Sequence, residues 1–344
     1  MRGIETLRNF RGAAIVAALI AIGSVATSQP AATEAIKIGI LKQAAAGPLY
    51  LAVERGYFAD EGVPAELVFF DAAQKIAVAT TSGSIDFGVV GLTAAFFNLA
   101  GQGALRIISG AVRETPGFNF DAYFVSNRAY AAGLKAPKDI AGHSVALTQI
   151  GSVNQYIVGL LADKYRFDVN TIRLLPLQSI PNAMNAVVGG QADTTVLAMQ
   201  AAFPPMIEKG DVRLLGWVGD ETPLERSEAF TAAKTADERS DTVARFLRAF
   251  RKGVRDYHDA FTGPGETRQD GPTAAAVWGV IMKYAELSAA DIKIGVPYYD
   301  REARLDVKDM LHQIAWYKAQ GLLKPEVDGE AIIDKRYVIP LPEK

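Results

Sequence analysis

Hydrophobic and polar positions along the chain alternate between strand-like and helix-like periods. Ile36-Lys37-Ile38-Gly39-Ile40 predicts a strand, a small-residue loop runs to Gly47, and Pro48 to Arg55 reads as a helix. Glu66 to Phe70 reads as a second strand, Ala73 to Thr81 as a helix, and Ile85 to Val90 as a third strand. Thr93 is placed to cap a further helix through Leu99.

A shift of 107 residues returns the same order without a gap: His143 to Leu147, a loop to Asn154, a helix to Ala162, Arg173 to Leu177, a helix to Val188, then Ala192 to Leu197. Gly83-Ser84-Ile85-Asp86 falls opposite Gly190-Gln191-Ala192-Asp193, and each marks a helix stop, a tight turn and a strand start. Strands alternating with helices predict an α/β fold of two duplicated lobes, each a mostly parallel sheet flanked by helices. Open sheets of this kind bind ligands at the carboxyl ends of their strands. Four loops therefore converge on an expected interlobe cleft: Lys42 to Pro48, Val90 to Ala94, Gln149 to Gln155 and Leu197 to Ala201.

Between the repeats, Ile107 to Val112 and Ala122 to Val125 look like strands, and Arg113 to Phe120 reads as a first crossing between lobes. After Trp217 the chain turns to longer charged helices, Asp241 to Phe261, Thr273 to Ala285 and Val307 to Gln320, with a return crossing near Gly216 to Pro223. The expected organisation is residues 36–120 for the first part of lobe 1, 121–218 for lobe 2, and 219–344 returning to lobe 1 with the C-terminal helices.

The first residues read differently. Arg2, Arg8 and Arg11 precede an apolar run from Ala13 to Ala26, and Ser24-Val25-Ala26 fits a small-x-small cleavage site. Residues 1–26 are thus expected to be an export signal, with cleavage between 26 and 35. The rival, a membrane anchor, has too short an apolar run for a span of ~20 residues. The chain has no cysteine, which rules out disulfides and an N-terminal lipidated Cys. Without residues 1–26 it carries 33 basic and 37 acidic residues, so no basic footprint for nucleic acid remains. A soluble periplasmic monomer without a cofactor or metal is expected.

Several segments together resemble the solute-binding proteins of ATP-driven importers, in the nitrate, sulfonate and taurine group that also takes thiamine precursors. They are Gly47-Pro48-Leu49-Tyr50-Leu51-Ala52 with Arg55-Gly56-Tyr57-Phe58, Glu61-Gly62-Val63, Ser82 to Gly88, Leu134 to Gly142 leading into Ser144 to Leu147, and Gly189 to Asp193. The resemblance implies a type II periplasmic-binding fold, hinged by two crossings, that closes over a small-molecule solute and delivers it to an ABC permease in the inner membrane. It does not reach the solute, because the ligand loops are where such proteins differ.

Helix N-termini offer free backbone N–H groups and partial positive charge to an anion. Ser152, just before the helix Val153 to Ala162, is either a ligand for a carboxylate or sulfonate or a plain N-cap, and the two roles are compatible. Thr93 stands in the same relation to its own helix, while Asn154 and Gln43 sit in the predicted cleft loops. Lys42 and Arg113 are the basic side chains nearest the predicted cleft, though Glu114 offers Arg113 a simple ion-pair partner. An organic solute needs apolar walls, for which Phe118, Tyr156 and Trp217 are the candidates among aromatics that mostly belong to the core.

Rival functions have less behind them. His143, His258 and His312 stand apart without metal-ligand spacing, and no Gly-x-Ser-x-Gly elbow is present. Pyrimidine-synthesising enzymes on this fold rely on cysteine-rich motifs that a chain without cysteine lacks. A binder of nitrate or of a pyrimidine precursor, another exported enzyme, and a sensory domain on the same fold remain as alternatives. The expected function is capture of a small organic anion, a sulfonate or carboxylate, aromatic ones included.

Overall fold

A computed structural model describes residues 34–200, 202–287 and 295–342. The expected export signal lies outside the described residues. The chain lays down β1 (Ile36–Leu41), β2 (Ala65–Phe70), β3 (Phe87–Val90) and β4 (Leu105–Gly110), then crosses through β5 (Val112–Glu114). It adds β6 (Asp121–Ser126), β7 (Ser144–Leu147), β8 (Arg173–Pro176), β9 (Thr194–Ala198) and β10 (Val212–Trp217), and returns through β11 (Leu224–Glu225) to β12 (Glu228–Ala232).

These strands form two five-stranded sheets, ordered β2-β1-β3-β12-β4 and β8-β7-β9-β6-β10. The orders correspond strand for strand, and so does the register. Lys37 lies opposite Glu66 and Ile38 opposite Phe87; at an offset of 107, Ser144 lies opposite Arg173 and Val145 opposite Thr194. The repeat runs further than the sequence pattern indicates, since β4 and β10, and the starts of β6 and β12, also stand 107 residues apart. In each sheet the single antiparallel strand comes from the chain leaving the other lobe, so the two lobes exchange a strand.

The two matched turns have a specific chemistry. Gly83 and Gly190 take positive φ (76° and 68°), where a side chain would be strained. Three residues later, Asp86 accepts the backbone N–H of Lys37 at 2.8 Å and Asp193 accepts that of Ser144 at 2.9 Å, each carboxylate tying the third strand to the start of the first.

The central strands β3, β7 and β9 are buried along their whole length, as apolar runs covered by helices on both faces should be. Behind the first sheet, the helices Gly47–Glu54, Ser240–Phe261 and Ala274–Ala285 close one core. Gly253 permits the closest approach there, because a Cβ on it would stand 2.1 Å from the Pro48 carbonyl oxygen. The last long helix, Val307–Ala319, packs against both Ala94–Gly101 of the first lobe and Val153–Tyr165 of the second.

The crossings are not free loops. β5 and β11 pair antiparallel, Glu114 opposite Leu224 and Arg113 opposite Glu225, with strand Tyr298–Tyr299 on the far side of β5. Gly216 and Trp217, expected in the return crossing, are instead the end of β10, held by pairing with β6. The hinge is thus a small sheet, and its strands carry the carboxylates Glu114 and Glu225 into the interior.

Candidate functional site: an interlobe cavity with oriented donors

A cavity opens between the sheets at the carboxyl ends of their parallel strands, and all four predicted loops contribute to its lining. Its volume is about 900 Å³, solvent-open mouth included. The first lobe supplies Gln43, Asp71 and Thr93; the second supplies Thr148, Ser152 and Asn154; the hinge supplies Phe120, Arg226 and Ser227. Tyr299 closes one wall, its hydroxyl donating to the Ala45 carbonyl.

The structure therefore brings four of the sequence candidates, Gln43, Thr93, Ser152 and Asn154, onto one surface. They do not behave alike. Thr93 caps its own helix, its Oγ1 accepting the Phe96 N–H at 3.2 Å. Asn154 gives its side-chain amide to the Val196 carbonyl and ties the loop to β9. Ser152 sits at the equivalent helix start but makes no side-chain cap, and its hydroxyl is buried at 4% exposure without a partner among the described residues. The amides of Val153 and Asn154 likewise have no acceptor among the described residues. Gln155 holds this turn by accepting the Gly151 N–H at 2.7 Å.

The other five candidates lie elsewhere. Arg113 faces Glu225 at 3.6 Å and Asp306 at 3.4 Å rather than its neighbour Glu114, and it is not in the cavity lining. Lys42 pairs with Glu286 at 2.5 Å on the edge of an adjoining cavity. Phe118 is buried edge-on against Tyr298, with ring centroids 5.0 Å apart. Tyr156 is fully buried, its hydroxyl 2.7 Å from His312 Nδ1 and 3.1 Å from Asp309. Trp217 packs on the outer core of the second lobe.

The cationic group that reaches the cavity is Arg226, which the sequence reading does not single out; the carboxylate in the lining, Asp71, is paired with Lys75 at 2.8 Å. In the sequence Arg226 stands between Glu225 and Glu228 with no motif around it. In the structure it is a hinge residue whose Nε donates to the buried Asp121, and its side chain retains 14% exposure. Gly91 is the seat beneath it, since a Cβ there would stand 2.3 Å from Nη1. Among the described residues its two terminal nitrogens have no hydrogen-bond acceptor, and the residue lines the cavity.

Burial opposes the charge on Arg226, but the Asp121 carboxylate outweighs it and holds the guanidinium protonated. Nearby carboxyls yield instead. Burial pushes Glu228 and Glu114 well above the usual carboxylate range, with Glu225 adding to the effect on Glu228 and Asp121 to that on Glu114. Arg226 thus keeps its charge through the Asp121 carboxylate, while burial disfavours the charged forms of Glu228 and Glu114 beside it. Two unpaired guanidinium nitrogens, a free hydroxyl and an uncapped helix start together form a donor set for an oxyanion. Among the described residues, no group of three or more His, Cys, Asp or Glu is disposed to hold a metal ion.

Residues 43–264 match the model of the NMT1/THI5-like family, which covers more than half of the chain. The protein belongs to that family. No curated protein sequence matches the chain. Among solved structures, the alkanesulfonate-binding protein SsuA of Xanthomonas axonopodis pv. citri, bound to MOPS, aligns with a TM-score of 0.67 at 20% identity, covering 88% of this chain and 99% of that one. The periplasmic nitrate-binding protein NrtA of Synechocystis PCC 6803 aligns with a TM-score of 0.64 at 15% identity, over 87% of this chain and 85% of that one. The desulfurization enzyme DSZB aligns with a TM-score of 0.55 at 14% identity, over 89% of this chain and 96% of that one. These likenesses establish the periplasmic-binding fold, which serves binders and at least one enzyme, so the site has to carry the functional argument.

Proposed function

We propose that this protein is the exported solute receptor of an ATP-driven importer, capturing a small organic sulfonate or carboxylate between its lobes for delivery to a membrane permease. The observation that carries the reading is the pairing, within one cavity, of an unpartnered Ser152 hydroxyl with the free guanidinium nitrogens of Arg226. A buried donor without an acceptor costs about 1–3 kcal/mol, a cost that a bound oxyanion removes. Phe120 and Tyr299 give the same cavity aromatic walls, which an inorganic ion does not need. The named lining holds neither histidine nor cysteine, which favours binding over catalysis. The family, and the sulfonate and nitrate receptors that share the fold, support the same reading.

A solute touching both lobes binds the closed arrangement better and draws the equilibrium toward it. A thermal-shift screen of sulfonates, aliphatic and aromatic carboxylates, nitrate and pyrimidines tests the proposal, since a ligand of the folded state raises the melting temperature. The expected hits are sulfonates or carboxylates. A response confined to neutral pyrimidines would overturn the reading.

A further inference from the structure

A second cavity adjoins the first. Gln43 and Ile180 line both, and the second encloses about 1110 Å³, solvent-open mouth included. It too lies between lobes, with Trp278 and Leu287 on one side and Met184, Met199, Phe203 and Met206 on the other.

The two chambers have opposite chemistry. Three of the six methionines in the chain stand in the second one. Methionine is unbranched and polarisable, and it suits surfaces that adapt to apolar partners of varied shape. Among the described residues, the charged ones in the lining are Lys42 and Glu286, and they neutralise each other at 2.5 Å on its edge. The first chamber offers oriented donors and a guanidinium, with Asp71 paired to Lys75; the second, among the described residues, offers apolar area without net charge.

We infer that the two chambers are halves of one binding site, whose ligand is an amphipathic organic anion with its head at Arg226 and Ser152 and an apolar tail among Met184, Met199 and Met206. This rests on the anion-capturing function proposed above and adds the ligand's second half. The shared walls mark the place of contact: the tail would leave the first chamber past Gln43 and Ile180, the residues that border both. Burying that tail sets the affinity, and the head sets the orientation.

Calorimetric titration of straight-chain sulfonates from ethanesulfonate to octanesulfonate, and of the matching carboxylates, tests the inference on the full protein. Affinity for one series is expected to climb about fourfold per added methylene once the tail reaches the second chamber. Met199 and Met206 are only partly buried, so Met199→Gln with Met206→Gln should fold normally. This variant is expected to flatten the climb and leave the shortest member's affinity unchanged. A flat wild-type series, or an equal climb in the variant, would overturn the second chamber's role while the anion site stands. Absence of binding by every member, short ones included, would overturn the anion-capturing function and this inference with it.

Discussion

Ala94 and Gly151 meet across the cleft: the first amide of a first-lobe helix donates to the Gly151 carbonyl of the second lobe at 2.8 Å. The contact leaves no room, because a Cβ on Gly151 would stand 2.7 Å from that of Ala94. Gly151 also takes φ = +73°, a conformation that costs other residues roughly 1–2 kcal/mol. Gly151→Ala is therefore expected to prop the lobes apart and weaken solute binding at least tenfold. Titration calorimetry reads the affinity, and small-angle scattering should show the variant failing to contract at saturation. Full contraction with unchanged affinity would show that the lobes close without this contact.

Ser152 and Thr93 occupy equivalent helix starts with different duties, so alanine substitution separates them. Thr93→Ala removes a working cap and should cost about 1 kcal/mol of stability. Ser152→Ala removes a hydroxyl that caps nothing, so the ligand-free melting temperature should stay put while anion affinity falls by a factor of about ten. A drop in ligand-free stability for Ser152→Ala equal to that of Thr93→Ala would return Ser152 to a purely structural role.

Arg226 is tied to Asp121 at the hinge and is the proposed anchor of the anion. Removing it alone strands the buried Asp121 carboxylate and should destabilise the fold by about 3–5 kcal/mol. The double change Asp121→Asn with Arg226→Gln drops both charges and keeps a hydrogen-bonding side chain at each position. It is expected to retain most of the stability in urea unfolding and lose anion binding by a factor of about a hundred. Retained binding in the double variant would place the anion elsewhere.

Hinge carboxyls make stability depend on pH. Burial raises Glu225 to about 8 and Asp309 to about 6, so the folded state holds protons that the unfolded state has released. Such groups contribute stability that is fully present below their unfolded values and is lost as pH rises through the folded ones. Between pH ~5 and ~8, stability should fall with a slope reaching about 1.4 kcal/mol per pH unit for each such proton. Urea midpoints at several pH values check this, and Glu225→Gln should reduce the slope. A slope unchanged by Glu225→Gln would assign the protons to other groups.

The duplicated frame was legible because its signals are local: Gly83 and Gly190 end helices, and Asp86 and Asp193 begin strands at a fixed offset. The fourth and fifth strands of each sheet carry no such local signal. β12 belongs to the first sheet only through pairing with β3 and β4, more than a hundred residues earlier, which no local pattern announces. The cavity divides the same way. Gln43, Thr93, Ser152 and Asn154 sit in loops that follow strands, where position alone predicts a cleft. Arg226, Phe120 and Tyr299 reach it from the crossings and from the C-terminal third. Arg113 lies within hinge strand β5 and Arg226 follows hinge strand β11, and what separates them is spatial: Glu225 and Asp306 occupy Arg113, while Gly91 gives Arg226 a seat beside the cavity.

The central claim, that the cavity recognises an oxyanion, is tested most directly by titrating the tightest-binding acid of the screen against its neutral primary amide. Charged hydrogen bonds contribute about 1.5–3 kcal/mol each, so losing those from Arg226 and Ser152 should weaken the amide by a factor of about a hundred or more. Equal affinity for acid and amide would contradict the account.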